Sequence, residues 1–310
     1  MRQRHGWRPL WEFDRLRAPI ITTPDRAAGE AGRGGGYTGE LARLMPRISI
    51  GDCHLFYERH GGGFPVLFVT GLSGYASFWR EQVPAFSKDF EVIVHDHRGV
   101  GQSDHSRISY TIERLAEDVI GLMDALGIKR AHVVGHSTGG AIAQVLAIEH
   151  PERLASVVIS ASWTKADAYF RRLFTLRKEI LSRLGPASYL QTNTLFLYPP
   201  FYIAQNNEKL RQLEAQNLAT FSAPEIIASR IDALLAFDRT AELARIKTPT
   251  LIVGAQDDAI TPLYYAEELA RSIPGAEVKI FPQGGHCFTQ VMPREFNNAV
   301  LPFLKAHTSA

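Results

Sequence analysis

From Pro65 onward, short apolar runs alternate with stretches in which apolar residues recur every three or four positions. Runs bounded by turn residues read as strands buried on both faces, and the longer period reads as amphipathic helix. The predicted strands are Val66 to Thr70, Glu91 to His95, Ala131 to Gly135, Leu154 to Ser160, Thr250 to Gly254 and Glu277 to Phe281. Between them, Ile112 to Leu126 places Leu115, Val119, Leu122, Met123 and Leu126 on one stripe and stops at Gly127, as a helix with a glycine C-cap would. Further helices are predicted over Ala141 to Glu149, Leu263 to Ser272 and Pro293 to Lys305. Ahead of them, Ile48-Ser49-Ile50 and Leu55-Phe56-Tyr57-Glu58 alternate as an antiparallel strand pair. The sum is an α/β fold, a mostly parallel eight-stranded sheet flanked by helices.

The strand rhythm stops after Trp163. From there to roughly Leu243 the pattern is helical with aromatic interruptions. Residues 164–243 are therefore expected to be a helical cap inserted into a core built from 45–163 and 244–310. Residues 1–44 are rich in Arg and Gly and hold no sustained period, so they are expected to be a poorly ordered extension, with Met45 a candidate start.

Composition then removes whole classes of function. A chain of 310 residues that is 45% hydrophobic can bury one full core. Lys and Arg number 34 against 32 acidic residues, a net charge of +2, which offers no long-range field for a nucleic acid or an anionic lipid surface. No uncharged apolar run reaches the ~18 residues of a membrane span, and no signal-peptide pattern opens the chain. A cytoplasmic protein with no nucleic-acid and no membrane partner is expected. The two cysteines, Cys53 and Cys287, lie outside any C-x-x-C pattern and read as small buried side chains.

Candidate chemistry centres on Gly135-His136-Ser137-Thr138-Gly139-Gly140. A serine between glycines can occupy a strained strand-to-helix turn that larger neighbours would block. An apolar strand enters this turn and a helix leaves it, so Ser137 is the candidate nucleophile. A serine hydroxyl needs a base, and His286, in the Gly284-Gly285-His286 loop after the last predicted strand, is placed to be one. His136, inside the turn, reads as packing or pocket-lining. The acid that would orient His286 belongs after the strand Leu251 to Gly254, where Asp257 and Asp258 are both candidates. Two backbone N–H donors for an oxyanion are expected at Thr138 and at Leu72, in the loop Gly71-Leu72-Ser73-Gly74.

Over Pro65 to Leu304 these features resemble the α/β-hydrolase superfamily: Asp96 to Asp104 is similar to its D-x-R-G-x-G-x-S stretch, and the serine turn, acid loop and histidine loop follow in the family's order. That resemblance implies the α/β-hydrolase fold and a Ser137, His286 and Asp triad. The spacing of Asp258 to Ile260-Thr261-Pro262 favours Asp258, with Asp257 bracing the loop or capping the next helix. Leu195 to Pro199, Ser162-Trp163 and Gly284 to Cys287 are further similar to the aminoacrylate hydrolases of pyrimidine catabolism.

Trp163, Phe196 and Tyr198 are expected to line a substrate pocket, with Tyr169 and Tyr202 as further aromatic candidates. Arg171-Arg172 and Arg177-Lys178 read mainly as a solvated helix face. His95-Asp96-His97 has no third or fourth ligand at suitable spacing, so no metal is expected there, and no cofactor is called for. The expected function is hydrolysis of a small carboxylic ester or amide through an acyl-enzyme, with a small-molecule substrate as partner and a homodimer left open. Aminoacrylate or carbamate hydrolysis, C–C bond hydrolysis or perhydrolysis with the same triad, and a non-catalytic ligand-binding role are the alternatives.

Overall fold

Among the described residues, which are 47–308 of the computed structural model, eight strands form where the apolar runs predict them. The expectations for residues 1–44 and for Met45 lie outside the described residues. The strands are β1 (Arg47–Ser49), β2 (His54–Gly61), β3 (Pro65–Val69), β4 (Glu91–His95), β5 (Ala131–His136), β6 (Leu154–Ser160), β7 (Thr250–Ala255) and β8 (Glu277–Phe281). They form one sheet in the order β1-β2-β4-β3-β5-β6-β7-β8. β2 runs antiparallel to both its neighbours, and every later pairing is parallel.

The central strands β3 to β7 are buried at almost every position because alternate side chains enter two separate cores. Leu67, Val69, Ile93, Val133, Val157, Ile159 and Ile252 point to one face. Val66, Phe68, Val92, Val94, Val134, Val158 and Val253 point to the other. The helices are α1 (Val83–Phe86), α2 (Ile112–Ala125), α3 (Thr138–Glu149), α4 (Ala168–Leu197), α5 (Pro200–Ala219), α6 (Pro224–Ala236), α7 (Leu263–Ser272), α8 (Phe288–Val291) and α9 (Pro293–Ala306). α2, α3 and α7 pack on the first face, and α1 and α9 on the second.

Between β6 and β7 the chain passes through α4, α5 and α6, which pack on one another through α4. α4 breaks at Gly185, whose φ of 81° precedes Pro186, a residue that cannot donate to the helical ladder. A bridge between Lys165 and Asp238 joins the two ends of this excursion. No helix among the described residues is long and apolar enough to cross a membrane.

Candidate active site

Ser137 stands between β5 and α3 with φ 56° and ψ −115°, a backbone conformation that costs a non-glycine residue on the order of 1–3 kcal/mol. Its surroundings hold it there. The Ser137 N–H donates to the Ser160 carbonyl at 2.7 Å, and the Ser162 hydroxyl donates to the Ser137 carbonyl at 3.0 Å. The glycines answer to crowding: a Cβ on Gly135 would lie 2.1 Å from the Gly139 carbonyl oxygen, and one on Gly139 would lie 2.0 Å from that of Val69. The turn therefore presses α3 directly onto β3 and β5. α3 starts at Thr138, one turn earlier than its apolar pattern suggests.

His286 and the two aspartates sit on the loops after β8 and β7. His286 Nδ1 lies 2.9 Å from Asp258 Oδ2 and 3.1 Å from Oδ1. Asp258 also accepts from Ile260 N–H at 2.8 Å, Thr261 N–H at 2.9 Å and the Thr261 hydroxyl at 2.8 Å. A carboxylate oxygen accepts, so Nδ1 is the donating nitrogen, and in the neutral imidazole that leaves the Nε2 lone pair free. Asp257 does different work. It accepts from the Gly284 and Gly285 N–H groups at 3.1 and 2.8 Å, tying the loop that carries His286 to the loop that carries Asp258.

A cavity of about 280 Å³ opens over Ser137, walled by Leu72, His286, Ile260, Tyr198 and Tyr202 among others. Ser137 and His286 face it together. They make no hydrogen bond with one another among the described residues, and in such sites that contact commonly tightens only with substrate in place. The Leu72 and Thr138 N–H groups have no hydrogen-bond partner among the described residues. Both therefore remain available as donors, and Thr138 adds the positive end of the α3 dipole. His136 also reaches the cavity wall, but burial, reinforced by its neighbour His286, pushes its pKa well below the usual imidazole value. Its Nδ1 lies 3.1 Å from the Ser160 hydroxyl, so it is a neutral packing residue.

Residues 65–289 match the family model of the α/β-hydrolase fold. This chain belongs to the α/β-hydrolase family. Among its relatives is a protein of Azorhizobium caulinodans named as a putative carbamate hydrolase RutD, 42% identical over 259 residues, which cover 84% of this chain and 98% of that one. Solved α/β-hydrolase structures superpose closely. The enol-lactonase of Burkholderia xenovorans matches with a TM-score of 0.78 at 26% identity, over 84% of this chain and 100% of its own. A thermophilic esterase of Thermogutta terrifontis matches with a TM-score of 0.77 at 26% identity, over 86% and 100%.

Within this α/β-hydrolase, four sequence expectations need correcting. Trp163 is fully buried and packs at a tilt against Phe170, ring centroids 4.7 Å apart; it belongs to the core under α4 and is not in the cavity wall. Phe196 packs half-buried against that same core, outside the wall, and Tyr169 is exposed, with its hydroxyl bonded to the Ala259 carbonyl. Tyr198 and Tyr202 do line the cavity, stacked at 5.4 Å. Arg177 is no surface cation: it is 4% exposed and lines the cavity.

Arg98, in the D-x-R-G stretch, forks onto buried Asp118 at 2.6 and 2.9 Å and also reaches Asp52. The rings of His95 and His97 stack at 5.2 Å. Sequence reasoning passed over Arg230 of α6 altogether. Arg230 is fully buried and donates to the Leu72 carbonyl at 3.1 Å and the Arg98 carbonyl at 2.9 Å, steadying the loop whose N–H faces the cavity. A signal was present. Ile226, Ile227, Arg230, Ala233 and Leu234 share one buried helical stripe, and so do Phe170, Leu173, Phe174, Arg177 and Leu181 in α4. An arginine in the middle of an apolar helical stripe is a candidate for burial.

Proposed function

We propose that this hydrolase is a serine enzyme cleaving small carboxylic esters or amides, with Ser137 as nucleophile, His286 as base and Asp258 as the acid that orients it. The reading rests above all on the Asp258–His286 contact, which turns Nδ1 to the carboxylate and, in the neutral imidazole, leaves the Nε2 lone pair free in the same cavity as the strained serine. Ser137 Oγ attacks the carbonyl carbon while its proton passes to His286 Nε2, and the imidazolium is balanced by Asp258. The Leu72 and Thr138 N–H groups receive the oxyanion, each worth on the order of a hundredfold in rate. His286 then hands its proton to the departing alcohol or amine, leaving the acyl group on Ser137. A water molecule, deprotonated by His286, cleaves that ester and restores the serine. Residues 164–243 act as a cap that limits substrate size.

The test is a short-chain 4-nitrophenyl ester mixed rapidly with the protein. A burst of product followed by a slower steady rate is expected, and both phases vanish in Ser137→Ala and His286→Ala. Turnover that persists in either variant removes the triad.

A second reading, hydrolysis of a carbamate or of aminoacrylate, draws on the relatives named as putative carbamate hydrolases. Ammonia release from carbamate above the spontaneous rate, lost in Ser137→Ala, supports it; an unchanged spontaneous rate removes it.

A further inference from the structure

Arg177 is the one buried cation in the wall of the cavity over Ser137 among the described residues. Its Nε donates to Asn193 Oδ1 at 2.8 Å. Its guanidinium carbon sits 4.6 Å from the Phe174 ring centroid and 5.7 Å from that of Tyr189. Phe174, Tyr189 and Asn193 line the same cavity. No carboxylate lies within ion-pair distance of Arg177 among the described residues, although ion pairs abound elsewhere on the chain. The other charged groups of the wall, Arg80, Glu81 and Lys209, are exposed at its rim, and half-buried Glu214 is engaged by the Thr194 hydroxyl.

A guanidinium carries five N–H donors. Here one has a protein partner, and the four on the two terminal nitrogens have none among the described residues. Burying a cation without an anion is costly, and a neutral amide oxygen with two ring faces offsets only part of that cost. Those same contacts fix the guanidinium plane, which leaves its outer edge ready for the two parallel bonds a carboxylate accepts.

We propose that Arg177, held by Asn193 and the Phe174 and Tyr189 rings, is a carboxylate-binding subsite, so that the preferred substrate carries a free carboxylate besides the bond that is cleaved. This rests on the hydrolase reading above only for the cleavage, since binding can be followed without turnover.

The experiment compares the methyl half-ester of succinic acid with methyl succinamate, the same molecule with a neutral amide in place of the carboxylate. In the wild type, kcat/KM for the half-ester is expected to exceed that for the amide by about ten- to a hundredfold, as a charge-assisted paired contact allows. Arg177→Gln is expected to bring that ratio to near one. A wild-type ratio at or below one overturns the proposal, and because it needs no variant, loss of folding in Arg177→Gln does not cloud it. Calorimetric titration of the half-ester into Ser137→Ala separates the two ideas. Binding there that is at least about tenfold weaker for the amide analogue, with no turnover of either compound by wild type, sinks the hydrolytic reading and keeps the subsite. Turnover of both compounds with equal binding sinks the subsite and keeps the hydrolase.

Discussion

Replacing Asp258 by Asn keeps the shape of the side chain and removes half of its acceptor capacity. Oδ1 holds the Ile260 and Thr261 N–H groups, which are fixed in the backbone, so the amide oxygen must take that place. The NH2 group then occupies the Oδ2 position, where it meets His286 Nδ1, 2.9 Å away in the wild type, and the Thr261 hydroxyl. Two donors face each other unless the imidazole moves its proton to Nε2. That is the nitrogen that has to accept the Ser137 proton. The wrong tautomer lowers kcat by about three to four decades, or ~4–5.5 kcal/mol of barrier. Asp257→Asn breaks only one of the two bonds to Gly284 and Gly285, a loss of about 1–3 kcal/mol in loop order that leaves kcat within about tenfold of wild type. The assay is kcat on a 4-nitrophenyl ester at mildly alkaline pH, with a thermal melt of each variant to establish folding. An Asp257→Asn variant that loses as much as Asp258→Asn would refute the reasoning.

Both cysteines are buried, and burial raises the thiol of Cys53 to about 11 and that of Cys287 to about 12. A disulfide reagent at mildly alkaline pH should label neither in the native protein and both in denaturant; prompt native labelling would contradict their burial. His95 is buried with Nδ1 lacking a partner among the described residues, and burial lowers its pKa to about 4 from the ordinary 6.5. As pH falls below about 6.5 the unfolded chain takes up the proton first, so folding loses stability down to about pH 4, by on the order of 3 kcal/mol from this group. His95→Gln should lessen the pH dependence of the urea midpoint across that window, with His97, His132 and His136, also held low by burial, supplying the rest, and an unchanged slope would show that His95 is not held neutral.

The sheet was legible because a strand buried on both faces has to be an apolar run, and Val66 to Val69 feeding both cores in alternation is what such a run looks like once folded. The serine turn was legible for a related reason, since Gly135 and Gly139 have no room for a Cβ. Asp257 and Asp258 could not be separated by chemistry alone. Adjacent residues on an irregular loop point in different directions, and Ile260 and Thr261 fix which one turns toward His286. The aromatic residues near Ser137 mislead because aromaticity announces burial and does not say against what: Trp163 chose Phe170 while Tyr198 chose the cavity. Arg177 and Arg230 were hidden by their charge, although their helical spacing already placed them among isoleucines, leucines and phenylalanines.

Arg230 has one consequence for anyone reshaping this enzyme. Its guanidinium reaches from α6, in the inserted segment, to carbonyls of the Leu72 and Arg98 loops on the sheet. The roof of the cavity thus supplies a strut for the floor. Transplanting a foreign roof to change selectivity would withdraw that strut unless the graft carries an arginine at the same helical position, and chimeras that keep it should retain the geometry of the Leu72 amide where those without it slacken.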